Sequence, residues 1–510
     1  MNAVAGLYDN PILWKHIRSR LRPQHLYPSI IVVVVICGII AWGGDMLNGM
    51  RNGRVFGILL FVQWGLLVVF GTSQVATAVA HAKDSGILDF HRVSPLPASW
   101  VTTGFLFGAP IREYILFACT LPFSIVPALM GVPGAAGLVT IYPVLFVSTV
   151  LYHMLAVLLG SVSKKPRGAG SLAVVIAIFT HMAGGWWSML GGGGGTAGLL
   201  TVIPAYTEAT RSFDPRMPVL GLAVPGFFGM EMPLFVQSLI YQFALLGFVY
   251  AAAVRKMRSD RAHAYSKPLA TAFLITVALL SLGSLWSTSA PRWMGRISSL
   301  WTVVAMLYVV VFAAVLLTNS VTPTASEFAN GMRRANKHGH RRLEPWHDLA
   351  LNHWATLLFC GIVAAAAACA YLLLALPNAP TGSVWLPTLV AVLVVAYFGS
   401  ARQYFELAFG KRGTPYFLLF LFFAWLVPII LGTIIAWTNW GEDASLAILS
   451  VSPLVGIGTA AGGEDFRGAL RVSQSTNIPF SLTFTILFTA LAIQARRRAE
   501  ASVRAASPAV

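Results

Sequence analysis

Charge is what this sequence has least of. Asp, Glu, Lys and Arg make up 10% of 510 residues while hydrophobic types make up 57%, too little polar surface to coat a water-soluble globule of that size. Lipid must be the solvent for most of the chain. Cysteine is also scarce: Cys37, Cys119, Cys360 and Cys369 all fall in apolar stretches without paired spacing. That pattern argues against a disulfide framework and against a cysteine zinc site. Acidic residues number 18 against 35 basic ones, a formal charge of +17. The basic excess sits in short clusters between apolar stretches rather than on a polar domain, so it reads as a topology signal and not as a nucleic-acid footprint. No Gly-x-x-x-x-Gly-Lys-Ser/Thr phosphate loop occurs. Gly410-Lys411-Arg412 lacks both the spaced glycine and the hydroxyl residue that such a loop needs for Mg²⁺, and the run Gly191 to Gly195 lacks the strand-to-helix setting. ATP hydrolysis by this chain is therefore not expected.

What is present is a succession of apolar runs, each near the roughly 20 residues that a helix needs to cross a bilayer. Runs such as 31–36 and 417–423 are continuously apolar, unlike the alternating ten-residue segments of a membrane β-barrel. The fold class expected is an all-α polytopic membrane protein with about twelve spans. In the first half these cover 27–42, 56–80, 100–129, 136–162, 171–190 and 233–254. In the second they cover 268–286, 298–318, 353–376, 384–398, 415–437 and 478–494. With the N-terminus inside, 26 of the 35 Lys and Arg fall on the cytoplasmic side and eight outside, with Arg112 within a span. That bias predicts a multi-pass protein of the plasma (inner) membrane with both termini cytoplasmic. No removable leader is expected, because 10–22 is basic and amphipathic rather than a short apolar core with a cleavage site.

The two halves repeat one order at an offset near 240 residues: basic segment, two spans, cytoplasmic stretch, two spans, short basic loop, one span, long outer segment, last span. Lys164-Lys165-Pro166-Arg167-Gly168 echoes Gly410-Lys411-Arg412-Gly413, and Pro218-Val219-Leu220-Gly221 echoes Pro453-Leu454-Val455-Gly456. Six spans per half predicts two parallel repeats related by an axis along the membrane normal. The expected domains are an elbow helix (1–26), a first half (27–254), a basic linker (255–267), a second half (268–495) and a basic tail (496–510). Cytoplasmic segments 82–97 and 319–352 and outer segments 191–232 and 439–477 complete the layout. The outer segments are apolar enough to re-enter the membrane, or to form ordinary loops.

Two motifs carry chemistry. In the segment from Asn10 to Pro23, Leu13, Trp14, Ile17 and Leu21 share one helical face, with Lys15, Arg18 and Arg22 on the other, as in a helix lying on the inner leaflet. After the second span comes Ala82-Lys83-Asp84-Ser85-Gly86-Ile87-Leu88-Asp89-Phe90-His91-Arg92-Val93-Ser94-Pro95-Leu96-Pro97. An elbow reading Asn-Pro-x-x-x-Lys-x-x-Arg, two spans, and an Asp-x-Gly-Ile-Leu segment ending in Ser-Pro-Leu together resemble the permease subunits of ABC-2 type ABC transporters. The likeness is clearest over the first 130 residues. It implies that the segment after the second span is a coupling helix docking on a separate cytoplasmic ATPase, two copies per complex. Asp84, Gly86, Ile87, Leu88, Asp89 and Phe90 would make that contact, with ATP and Mg²⁺ held by the partner and no cofactor in this chain. Ile87, Leu88 and Phe90 are expected to be exposed for a partner groove, oriented by the two aspartates. The implied activity is export or flipping of an apolar or amphipathic substrate. The second-half stretch departs from the pattern: it is basic, lacks a Gly-Ile-Leu core, and reads as a solvated face meeting anionic lipid. Its His338 and His340, spaced i, i+2 among cations, make a poor metal pair.

Other readings remain. An ion-coupled secondary transporter would need buried carboxylates; Arg112 and Glu113, expected about a third of the way along the third span, are the candidates for a pathway or gating role. A membrane enzyme would draw on outer acidic groups such as Glu208, Glu464 and Asp465. His153 and His181 read as hydrogen-bonded packing residues.

Overall fold

A computed structural model describes residues 9–46, 54–131, 133–163, 165–189, 198–211, 226–285, 297–340, 343–373, 381–438, 442–460 and 473–505. Among these residues, ten stretches are helical, long and apolar enough to cross a membrane. The chain divides into two compact units, Met1–Ala264 and Tyr265–Val510.

In the first unit α1 (Pro11–Arg20) precedes α2 (Pro23–Met46) and α3 (Arg54–Asp84). Seven residues of α3, Gly65–Gly71, are wound as a π-helix. Then follow α4 (Ile87–Val93), α5 (Ala98–Gly108), α6 (Ile111–Met130), α7 (Gly134–Val162) and α8 (Pro166–Met189). A short α9 (Ile203–Arg211), a two-residue hairpin pairing β1 (Gly226–Phe227) with β2 (Met230–Glu231), and α10 (Leu234–Arg258) complete the unit. Phe56, Leu60 and Leu67 of α3 bury themselves against Ile141 and Leu145 of α7. One polar cluster lies within this apolar packing: Gln63 donates to Thr120 and Ser124 at 2.9 Å each and accepts from the Tyr142 hydroxyl at 3.1 Å. A primary amide can enter lipid-depth packing only because its partners satisfy it there.

The third span differs from the expectation over 100–129. Ala109 and Pro110 separate α5 from α6, because the ring lacks an N–H for a continuous helix. Only α6 is a span; α5 packs on α1, α3, α7 and α10.

The second unit runs α11 (Lys267–Ser284), α12 (Ile297–Val321), α13 (Ala325–Lys337), α14 (His353–Leu373) and α15 (Thr381–Phe409). Next come α16 (Gly413–Leu421), a π-helical Phe422–Leu426, α17 (Val427–Trp437), α18 (Glu442–Val451), α19 (Pro453–Thr459) and α20 (Ile478–Ala505). The expected span 384–398 is too short by a helical end: α15 continues past Arg402 and Glu406 to Phe409. The 3₁₀ turn Gly410–Arg412 then reverses the chain, so Phe405 meets Phe417 and Phe398 meets Trp425 as two antiparallel helices would. Gly413 permits that return, since a Cβ there would lie 2.5 Å from the Phe405 carbonyl oxygen. The helix α20 continues into the basic segment, through 496–505.

Where described, the outer segments are folded into their units. Leu199, Val202 and Ala205 are buried, and Gln242 of α10 donates to the Leu199 carbonyl at 3.1 Å. In the second unit the chain breaks between α18 and α19 at Ser452. Asn477 donates there to the Ser450 carbonyl, and the Tyr308 hydroxyl donates to Leu454 at 2.9 Å while accepting from the Gly458 N–H at 3.0 Å. Backbone freed by a break at this depth has to find such partners. Residues 191–197, 212–225, 439–441 and 461–472, with Gly191 to Gly195, Glu464 and Asp465, lie outside the described residues.

Candidate functional site: the ionic clamp of the first unit

Gly86 makes the turn out of α3. Its φ of +75° is a conformation that a Cβ would strain, and the turn closes with Ser85 N–H on the His81 carbonyl at 2.9 Å. Four residues then decide which way α4 faces. Leu88 is 1% exposed and fills the unit's own interior, so the expectation of an exposed Leu88 is overturned; on a two-turn helix one side must be buried to hold it. Ile87 is half-buried. Phe90 is 68% and Val93 84% exposed, and Asp84 and Asp89 are exposed beside them. An apolar pair framed by two carboxylates thus points away from the bundle.

Arg92 fastens the anchored side. Its guanidinium meets Asp89 at 2.5 Å and Asp260 at 3.5 Å, and donates to the carbonyls of Lys256 at 3.1 Å and Met257 at 3.3 Å. Asp260 also receives Lys83 at 3.3 Å, and Lys83 reaches the Ser161 carbonyl at 2.7 Å. Partial burial raises the Asp260 carboxyl, but Lys83, Lys256 and Arg92 outweigh it and hold the group below the usual carboxylate range. Lys256 closes the loop by donating to the carbonyls of Asp260 and Ala262 at 2.6 and 3.0 Å. The end of α3, α4, the end of α7 and the residues after α10 are therefore one ionic clamp. Its cations were legible only as a count; the partner, Asp260, carried no motif.

The elbow α1 docks beside it. Asn10 caps α1 by accepting from Ile12 and Leu13 N–H groups and donates to the Trp100 carbonyl at 2.7 Å. Ile12 is buried on Gly104, and His16 lies over Gly108 and edge-on to Phe105 at 5.3 Å. A Cβ on Gly104 would meet the Ile12 Cβ at 2.8 Å, so α1 and α5 touch only because those positions are bare. The seam toward α5 is thus Ile12, Leu13 and His16. Trp14, Lys15, Arg18 and Arg22 are exposed; Ile17 and Leu21 are half-buried. Burial, then the charges of Arg20 and Lys15, push the His16 imidazole down to about 4. Burial and then Lys15 lower His91 of α4 as well.

Arg112 and Glu113 stand in the first turn of α6, not a third of the way into a span. Glu113 is 1% exposed and takes Arg112 at 2.8 Å, while Arg20 of the elbow donates to Gln74 at 2.6 Å. A carboxylate at a helix start is favoured by the helix dipole and here is neutralised by its neighbour.

In the second unit α13 begins with a capping box of Thr324 and Glu327, and buries Phe328 and Met332 against Leu351 and Val503. Arg333, Arg334, Lys337, His338 and His340 are exposed. Lys267, 1% exposed, donates to the carbonyls of Pro345, His347, Ala350 and Leu351 at 2.6 to 3.1 Å, pinning the returning chain to α11. Buried Arg402 is held by Glu406, Asn319 at 2.7 Å and Thr414 at 3.2 Å.

No family model, curated protein or solved structure matches this chain. What its own residues establish is an all-α, multi-spanning membrane protein whose architecture suits transport.

Proposed function

We propose that this chain is the membrane-spanning permease of an ATP-driven transporter of the ABC-2 type, energised by a separate P-loop ATPase that docks on α4. The carrying observation is the two-sidedness of α4: Leu88 and Arg92 fix it to the bundle, while Phe90 and Val93 stand exposed between Asp84 and Asp89. A helix so built accepts a push on one side and delivers it through the other. ATP and Mg²⁺ belong to the partner.

Supporting the duplicated layout is the span count. The stretch Trp385–Trp437 is 53 residues, which as one helix would reach about 80 Å against a hydrocarbon core of about 30 Å. Divided at Gly410–Arg412 it supplies two spans, and α8, with 24 residues, adds another. Each unit then has six, in the same order, and one chain would serve two ATPase protomers. An apolar cleft of about 350 Å³ in the first unit, lined by Leu67, Phe117, Leu121, Ile125, Tyr142 and Phe146 among others, favours an apolar or amphipathic substrate. Against ion coupling, the buried carboxylates among the described residues, Glu113 and Glu406, each carry an arginine.

The test is copurification. Phe90→Asp, which leaves the anchored side of α4 untouched, is expected to release a P-loop ATPase that travels with the wild-type chain. Retention of the ATPase by that variant would remove the docking role. Uptake into vesicles by this chain alone, driven by a proton or sodium gradient, would replace the proposal with a secondary transporter.

A further inference from the structure

The π-helical turn of α3 packs against α7 and α8, and buried polar groups without partners collect beside it. His181 of α8 is 6% exposed, and its Nδ1 lies 2.8 Å from the Ala177 carbonyl. A carbonyl only accepts, so Nδ1 carries the proton and the neutral ring leaves Nε2 as a bare acceptor. That nitrogen is buried without a hydrogen-bond partner among the described residues. Trp64 of α3 lies against it, ring centroids 4.9 Å apart, and its Nε1–H is likewise buried and unpartnered there. Tyr152 of α7 forms the third wall, its ring 5.2 Å from that of His181, and its hydroxyl, able to give or accept, is buried without a hydrogen-bond partner among the described residues. Apolar Val68 and Ala177 close the remainder. An unpaired polar group is costly to bury, and lipid provides no water in exchange.

We propose that the first unit holds a binding site for a hydroxyl group beside Trp64, Tyr152 and His181, where α3, α7 and α8 converge. One donor and one acceptor side by side define the chemistry. A hydroxyl can give its hydrogen to His181 Nε2 and accept from Trp64 Nε1–H at once, whereas an ammonium can only donate and an ether can only accept. Trp64 stands ten residues into α3, about 15 Å along its axis and so near the middle of a core of about 30 Å. The hydroxyl belongs either to water or to a membrane-soluble alcohol. The site is independent of the transporter reading, since it requires neither an ATPase nor a transported substrate.

The full chain carrying ¹⁵N-histidine, reconstituted in nanodiscs, tests it with 1-decanol as probe and decane as control. His181→Gln identifies the His181 resonances. An Nε2 resonance already moved to the hydrogen-bonded position without alcohol assigns the site to water, and movement only on adding decanol assigns it to an alcohol. Trp64→Phe, which keeps the ring packing and removes the donor, is expected to weaken the decanol response several-fold. An Nε2 that stays at the position of a free nitrogen with and without decanol overturns the proposal. So does an equal response to decane.

Discussion

Single side chains in this protein do opposite things two positions apart. Leu88 and Phe90 belong to the same short helix, yet one fills the bundle and the other faces out. Leu88→Ala is therefore expected to destabilise the first unit by about 2 to 5 kcal/mol, seen as a fall in thermal midpoint. Phe90→Ala should stay within about 0.5 kcal/mol in the same measurement. Buried charge gives a second contrast. Arg402→Met leaves Glu406 without its ion pair, for a loss of about 3 to 5 kcal/mol, which Glu406→Gln on the same background should partly restore. His16 gives a pH dependence. Its folded value of about 4 lies below its ordinary 6.5, so the undocked elbow takes the proton first. Docking is complete above pH 6.5, weakens as pH falls toward 4, and changes no further below it. Hydrogen exchange over 11–20, corrected for its intrinsic pH dependence, reads this, and His16→Phe should flatten it.

At the scale of elements, glycine decides where helices touch. Gly104→Val should lift α1 from α5 without unfolding the spans, because the nearest atoms, Ile12 Cβ at 2.8 Å and Asn10 Oδ1 at 3.0 Å, both belong to the elbow and its cap; faster exchange confined to 11–20 checks it. The elbow and the segment after the second span were both legible as amphipathic stretches flanking apolar runs. Their inward faces were not. Whether Leu88 or Phe90 is buried depends on Gly86 setting the helix's direction and on Arg92 finding carbonyls of residues 164 and 165 positions away, contacts with no local pattern. The end of α15 was misread for a related reason. Arg402 and Glu406 look like the edge of a span, but paired to each other and to Asn319 they allow the helix to continue. Likewise Pro110 splits α5 from α6 inside a run that is apolar on both sides apart from Arg112 and Glu113. Apolar length is a property of sequence; the point where a charge is neutralised is a property of the fold.

For the whole molecule, the alternation of apolar runs and basic segments was enough to read an all-α membrane protein. The division into two compact units places the residues between α10 and α11 at a boundary. Chains ending at Ala264 and starting at Tyr265, coexpressed, are expected to insert and to resist protease as two fragments. Loss of either fragment when the other is omitted would show that the units depend on one another to fold.

The π-helical stretch of α3 bears on motion as well as on binding. Seven residues wound wider than an α-helix place the rest of the span out of step with its beginning. Each α-helical residue accounts for about 100° of rotation. Shifting the wide turn by one position would therefore swing whatever lies between its old and new places around the axis, with no change in length beyond about 1.5 Å. Lys83 sits at the C-terminal end of that shaft, joined through Asp260 to Arg92 and α4. The span can thus work as a crank: twist applied at its Lys83 end arrives, as a reorientation of side chains, beside Trp64.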